Sequence, residues 1–268
     1  MKKEKMFIDK VAWITGASSG IGESLVYEFI RRGAVVLASS NDISGLERVK
    51  EACADKSGNV HCVPFDLADT SEINSLVKQQ IAERGKIDFL LNIGGISQRA
   101  TINDTPLWLD RKIFEINYFG TIALTKAVLP YMISHKSGHI LATSSISGRF
   151  GFPLRSAYSA SKQALHGFFE TLYLENKKFN INSTVIIPGR VRTSISVHAL
   201  DAEGKEHGKM DDGQAKGISP EKAARIIING IMKNRREILV GKGELIILHI
   251  RRYCPWLFFR IADKIKST

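Results

Sequence analysis

Tyr158 and Lys162 stand four residues apart in the run Tyr158-Ser159-Ala160-Ser161-Lys162, within a stretch whose apolar spacing predicts a helix. Side chains at i and i+4 share one helix face, so an ammonium placed there lowers the pKa of the phenol and keeps its proton transferable near neutrality. Such a pair is a general acid/base. Alone it carries little weight, because both residue types are common. A second feature lies near the other end, where the apolar run Val11-Ala12-Trp13-Ile14 leads into Thr15-Gly16-Ala17-Ser18-Ser19-Gly20-Ile21-Gly22. A buried strand, a glycine turn and a helix opening suit a pyrophosphate, since N–H groups at a helix N-terminus bind anions and glycine lets the phosphates come close. Gly16, Ser18, Ser19, Gly20, Ile21 and Gly22 are the candidate contacts. Three residues separate the first two glycines where the common dinucleotide fingerprint has one. A glycine turn that only joins strand to helix is the plainer alternative.

Elements able to hold both features in one site can be read from the pattern. Strand-like runs fall at 11–14, 35–39, 60–64, 89–92, 139–143, 182–187 and 237–240, and helical patterns at 21–32, 43–54, 71–84, 107–135, 157–179 and 220–234. The alternation predicts an α/β fold: a Rossmann-like, doubly wound parallel sheet of about seven strands, joined by right-handed crossovers, with helices on both faces. Ligands in such sheets bind beyond the carboxyl ends of the strands. The chain has 268 residues, of which 44% are hydrophobic and 24% charged, which suits a single domain spanning 1–268.

The ordered set Thr15 to Gly22, Asp66-Leu67, Asn92-Ile93-Gly94-Gly95, Asn117, Ser144-Ser145-Ile146-Ser147-Gly148, Tyr158 with Lys162, and Pro188-Gly189 through Thr193 resembles the motifs of the short-chain dehydrogenase/reductase family. The likeness runs from Val11 to Thr193. It implies an oxidoreductase that moves a hydride between a nicotinamide and a carbonyl carbon. Negative charge then builds on the carbonyl oxygen and must be stabilised or protonated. By resemblance, Tyr158 donates the proton and Ser145 hydrogen-bonds the same oxygen. Lys162 binds the nicotinamide ribose and holds the Tyr158 pKa down, and Asn117 holds a water linking the lysine to solvent. Asp66 and the backbone at Leu67 would meet the adenine, Asn92 and Gly94 would support the crevice, and Pro188, Gly189, Val191 and Thr193 complete the cofactor contacts. Ile93 departs from the Asn or Ala more usual in that turn and is expected to pack beneath it. Plainer roles stand beside these: a turn or N-cap aspartate for Asp66, a capping serine for Ser145, a satisfied buried amide for Asn117.

Cofactor choice turns on Ala38-Ser39-Ser40-Asn41-Asp42 at the end of the second strand. An enzyme selecting NAD usually places an acid there for the ribose 2′-OH, and that carboxylate would repel a 2′-phosphate. Ser40 holds that place, and Ser40 and Asn41 can donate to a phosphate, although no Arg or Lys stands there. NADP(H) is favoured, with NAD(H) open. Candidate substrate walls are Ile96, Ser97, the stretch 150–154 and Arg190 to Ile195, under a polar segment at 194–217 that resembles the family's mobile lid. Phe150, Phe152, Pro153 and Leu154 suit a hydrophobic ketone of lipid, 3-ketoacyl or steroid type, or are ordinary packing.

The net charge of +11 is concentrated at the ends, with nine basic against three acidic residues in 233–268. The tail, 244–268, is basic and amphipathic, with Arg251, Arg252, Trp256, Phe258, Phe259, Arg260, Lys264 and Lys266. Its apolar runs are too short to span a bilayer. It either covers the substrate pocket or a subunit interface, which is the preferred reading, or lies in a membrane interface. No nucleic-acid reading motif is recognisable. Cys53, Cys62 and Cys254 lack metal-ligand spacing, and His135 and His139 straddle a helix end, so no metal site is expected. Residues 1–10 carry no apolar signal core. A cytoplasmic enzyme acting on a hydrophobic carbonyl or alcohol, as a homodimer or homotetramer, is the expected protein. A dinucleotide-binding sensor without turnover is the alternative.

Overall fold

The computed structural model describes residues 4–262, so the tail positions Lys264 and Lys266 lie outside the described residues. In chain order the elements are β1 (Val11–Thr15), α1 (Gly20–Arg31), β2 (Val35–Ser39), α2 (Ile43–Glu51), β3 (Val60–Cys62), α3 (Ile73–Arg84), β4 (Phe89–Asn92), α4 (Leu107–Phe114), α5 (Thr121–Ser134), β5 (Gly138–Thr143), α6 (Ser156–Asn176), β6 (Ile181–Pro188), α7 (Asp212–Ala215), α8 (Pro220–Met232), β7 (Glu237–Val240), α9 (Ile246–Tyr253) and α10 (Pro255–Ala262). The strands form one all-parallel sheet in the order β3-β2-β1-β4-β5-β6-β7.

Alternation along β1 shows why its run is apolar throughout. Ala12 and Ile14 enter the core under α1 and α8, with Leu25, Phe29 and Ile227. Val11 and Trp13 enter the opposite core, with Val128, Leu165 and Phe169 from α5 and α6. A strand buried on both faces has no place for polar alternation. Strand order reverses between β1 and β4, which opens a crevice there. Thr15 bridges it, its Oγ1 accepting from the amides of Ile93 at 3.0 Å and Gly94 at 3.1 Å.

One departure from the sequence expectation and two segments over the cleft matter. The stretch 107–135 is not one helix: α4 and α5 are separated by a π-helical turn, Glu115–Gly120, which carries Asn117. Gly120 allows this turn to press against the chain after β3, since a Cβ there would stand 2.1 Å from the Leu67 carbonyl oxygen. Segment 194–217 is packed down, with Leu200 bridging Gln98 in parallel and the amides of Arg99 and Leu200 bonded to Leu200 O and Ser97 O at 2.8 and 2.9 Å. Beyond β7 the chain forms two short helices, α9 and α10, that return over the cleft. No helix among the described residues is long and apolar enough to cross a membrane.

Candidate active site

A continuous cleft of about 1110 Å³ runs from the glycine loop, past the ends of β2, β4 and β5, to α9. Gly16 and Gly20 adopt positive φ, 62° and 58°, and a Cβ on Gly16 would stand 2.7 Å from Gly94 Cα. The loop thereby crosses the crevice at backbone distance. Ser19 occupies the N-cap of α1 without capping it through its side chain, so the first-turn amides at Gly20, Ile21 and Gly22 keep their capacity for an anion where they line the cleft.

Of the residues expected at the site, Gly16, Ser18, Ser19, Gly20, Ile21, Gly22, Ser40, Asn41, Asp66, Leu67, Gly94, Ser145, Tyr158, Lys162, Pro188, Gly189, Val191 and Thr193 all line this one cleft. Asn92 and Asn117 do not. The Asn92 amide donates to Leu141 O at 3.1 Å and Thr125 Oγ1 at 3.2 Å, bracing β4 against β5 and α5. Asn117 clamps the turn after β4, accepting from Ile96 N at 2.8 Å and donating to Ile96 O at 2.9 Å and Ser161 Oγ at 3.2 Å. Asp66 lines the cleft while its carboxylate accepts from Ala68 N at 2.9 Å, a turn aspartate. Asp42 caps α2 by accepting from Gly45 N at 2.9 Å.

The wall that carries Ser145, Tyr158 and Lys162 is built by β5 and α6. Ser145 follows the end of β5 with extended backbone, its Oγ accepting from Ser147 N at 3.1 Å. Its hydroxyl lies close enough to influence the buried Tyr158 phenol. Lys162, one turn along α6, donates from Nζ to Thr143 O at 2.8 Å, 6.0 Å from the Tyr158 ring centre. Burial pushes the Lys162 ammonium down to about 8. The expected depression of Tyr158 by Lys162 is corrected here: burial raises the phenol above its ordinary value, and the influences that hold it down are the Ser145 hydroxyl and the charges of Arg155 and Arg99. Lys162 aims at a carbonyl, and two arginines add positive field near the phenol.

Those arginines belong to a cluster that the sequence did not reveal. Arg99, after β4, grips Asp211 of the covering segment through two bonds, 2.6 and 3.3 Å, and Arg155, before α6, reaches the same carboxylate at 2.8 Å. All three line the cleft and are largely buried, with side chains 3%, 11% and 7% exposed for Arg99, Arg155 and Asp211. Gln98 Oε1 accepts from Ala157 N in the first turn of α6 at 3.1 Å, and Gln214 of α7 donates to Val191 O at 2.6 Å. Partners 112 residues apart leave no local pattern. Replacing a shared carboxylate leaves buried charge uncompensated, so Asp211→Asn should cost about 3–5 kcal/mol. Urea unfolding should register that loss, and limited proteolysis should cut within 194–217 faster than in the parent chain.

Near the back of β5, His166, Glu170 and Glu237 bring ligand-type atoms within 4.8 Å of one another. Arg149 pairs with Glu237 at that spot, so a guanidinium already supplies the cation. Cys53, Cys62 and Cys254 are free thiols.

Comparison with known proteins agrees with this geometry. A family model described as short chain dehydrogenase matches residues 10–204. Dehydrogenase/reductase SDR family protein 7-like from Drosophila melanogaster is 41% identical over 260 residues, covering 95% of this chain and 80% of that protein. Dehydrogenase/reductase SDR family member 7B from Mus musculus is 40% identical over 256 residues, covering 94% and 79%. Among solved structures, a short chain dehydrogenase/reductase from Burkholderia phymatum in complex with NAD superimposes with a TM-score of 0.82 at 21% identity, over 94% of this chain and 95% of that one. A protein from Beutenbergia cavernae with NADP bound at low occupancy does so with a TM-score of 0.74 at 24% identity, over 88% and 96%.

Proposed function

Because the chain belongs to the short-chain dehydrogenase/reductase family and is an oxidoreductase acting on small molecules, we propose that it interconverts a hydrophobic carbonyl and its secondary alcohol with NADP(H). The observation that carries this reading is the wall where Ser145, Tyr158 and Lys162 meet, on the same cleft as the glycine loop. The residues fit a nicotinamide dinucleotide: the backbone cradle at Gly16, the uncapped first turn of α1 and the hydroxyls of Ser18 and Ser40 lie along one path. When bound, the cofactor supplies or accepts the hydride.

The chain's own residues handle the oxygen. Tyr158 donates its phenolic proton to the carbonyl oxygen, Ser145 donates a second hydrogen bond there, and both bonds strengthen as negative charge develops. A phenol pKa raised by burial keeps the proton on the ring at neutral pH, which suits reduction. Lys162 holds the ribose end and orients Tyr158 across one helix turn. Asn117 serves as a positioning residue through the Ile96 main chain.

Support for NADP(H) over NAD(H) comes from what replaces the customary acid. Ser18 and Ser40 share a hydrogen bond of 2.9 Å, and Arg48 of α2, which the sequence reading passed over, donates to Ser18 O at 2.8 Å while pairing with Glu23. A guanidinium bonded to the Ser18 carbonyl, beside that hydroxyl pair, can turn to a 2′-phosphate bidentately. Arg48→Ala should raise the KM for NADPH by roughly tenfold and leave that for NADH nearly unchanged. Steady-state kinetics with each nucleotide checks this, and equal losses would remove the assignment.

The apolar residues Ile96, Phe152, Ile195, Ile246, Ile247, Ile250 and Ile261 on the cleft wall support a hydrophobic substrate. Association as a homodimer or homotetramer, a cytoplasmic location and a peripheral membrane contact through the tail complete the proposal. NADPH oxidation against a panel running from small aldehydes to long-chain 3-keto compounds and ketosteroids tests the substrate class, with turnover confined to small polar aldehydes as the contrary result.

A further inference from the structure

α9 and α10 each divide into two faces. On α9, Ile247 and Ile250 face the cleft, while Ile246, His249, Arg252 and Tyr253 are exposed along one side at helical spacing. On α10, Phe258 is buried against Phe150 with ring centres 4.9 Å apart, while Trp256, Phe259 and Arg260 face outward. The tail aromatics thus split: Phe258 packs inward against Phe150, and the others stay outside. Tyr253, Trp256 and Phe259 are 68%, 65% and 59% exposed, three large uncovered rings on two consecutive short helices. Ile246 is 60% exposed and also lines the cleft, so it stands at the mouth.

Charge tells what covers this face. Between residues 242 and 262 stand Lys242, Arg251, Arg252 and Arg260 against Glu244 alone, and Glu244 is turned inward to the Arg190 amide at 3.0 Å. Each exposed ring carries a guanidinium: Arg252 at 5.5 Å from Tyr253, Arg260 at 5.8 Å from Trp256 and Arg251 at 5.4 Å from Phe259. Rings with arginines beside them, on helices too short to span a bilayer, fit an anionic lipid surface, where the rings sink among the acyl chains and the cations stay with the headgroups. We propose that the outer face of α9 and α10 seats on an anionic membrane surface with the cleft mouth at Ile246 opening onto it, so that a bilayer-resident ketone passes into the cleft past Ile250 and Ile247. This rests on the carbonyl-reductase reading for its substrate, whereas the docking itself does not.

Sedimentation of the full chain with phosphatidylcholine vesicles, with and without phosphatidylglycerol, separates the two. The chain should bind only the anionic vesicles, with a blue-shifted tryptophan emission. Arg252→Ala with Arg260→Ala should weaken binding roughly 30-fold. Trp256→Ala with Phe259→Ala should abolish the emission shift. Both double variants should keep turnover of a soluble ketone and lose it for a ketone presented in anionic vesicles. Absence of vesicle binding, or a homodimer in solution that dissociates in the Trp256/Phe259 variant, would overturn the membrane seat, the latter assigning the face to a second copy. Vesicle binding without turnover of any ketone would overturn the substrate route and the reductase reading together, leaving the docking surface intact.

Discussion

Tyr158→Phe should reduce kcat/KM by roughly three orders of magnitude or more while leaving cofactor affinity within about twofold. The ring is buried at the start of α6, 8% exposed, and the substitution keeps the ring and deletes one hydroxyl, so packing is preserved. What disappears is the only phenolic proton on the cleft wall among the described residues. Ser145→Ala should cost less, on the order of a hundredfold, because it removes one of two bonds to the same oxygen. Calorimetric titration with NADPH, run beside oxidation of NADPH by the best ketone, checks both halves. Turnover within tenfold of the parent would remove Tyr158 from the chemistry, and loss of cofactor binding would show that its ring, not its proton, mattered. The same experiment separates an enzyme from a dinucleotide sensor, for which the hydroxyl has no use.

How far the sequence revealed this arrangement depends on how local each cause is. Strands buried on both faces, such as β1 and β4, announce themselves by unbroken apolar runs between glycine-bearing turns. The glycine loop and the Tyr158 to Lys162 spacing are legible because the chemistry is written within single elements. Asn117 stands out in the sequence but its surroundings do not: a π turn has no apolar period of its own, and the stretch 107–135 therefore reads as one helix. Arg48, Arg99, Arg155 and Asp211 escaped altogether. Their pairings join residues 25 to 112 positions apart, and each stands in an ordinary polar neighbourhood of the chain. The electrostatic expectation for Tyr158 failed for a related reason. Spacing fixes which face Lys162 shares, but the Thr143 carbonyl, brought alongside only by the β5–α6 packing, decides where its ammonium points.

That ammonium makes the Lys162 site costly as well as functional. Nζ lies almost fully buried, with Lys162 3% exposed, and its only bond among those described is to Thr143 O. Burial disfavours the charged form and brings the pKa from 10.5 to about 8. At pH values below 8 both folded and unfolded chains carry the proton, and the folded state bears the whole desolvation cost, about 3 kcal/mol from the size of the shift. Between 8 and 10.5 the unfolded chain binds a proton that the folded chain has released, so unfolding becomes harder as pH rises through that window. Lys162→Met removes the titration and fills similar volume, at the cost of leaving the Thr143 carbonyl with one bond fewer, about 1 kcal/mol. The variant should therefore be inactive yet more stable than the parent at neutral pH, by roughly 2 kcal/mol, and this advantage should shrink from pH 8 upward and give way, as the pH approaches and passes 10.5, to a parent more stable by up to about 1 kcal/mol. Urea denaturation of both ligand-free proteins across that range measures the difference directly, with the other titrating groups cancelling between them. A constant offset at every pH would mean that Lys162 is solvated in the free enzyme, and that its charge is not held ready at the expense of the fold.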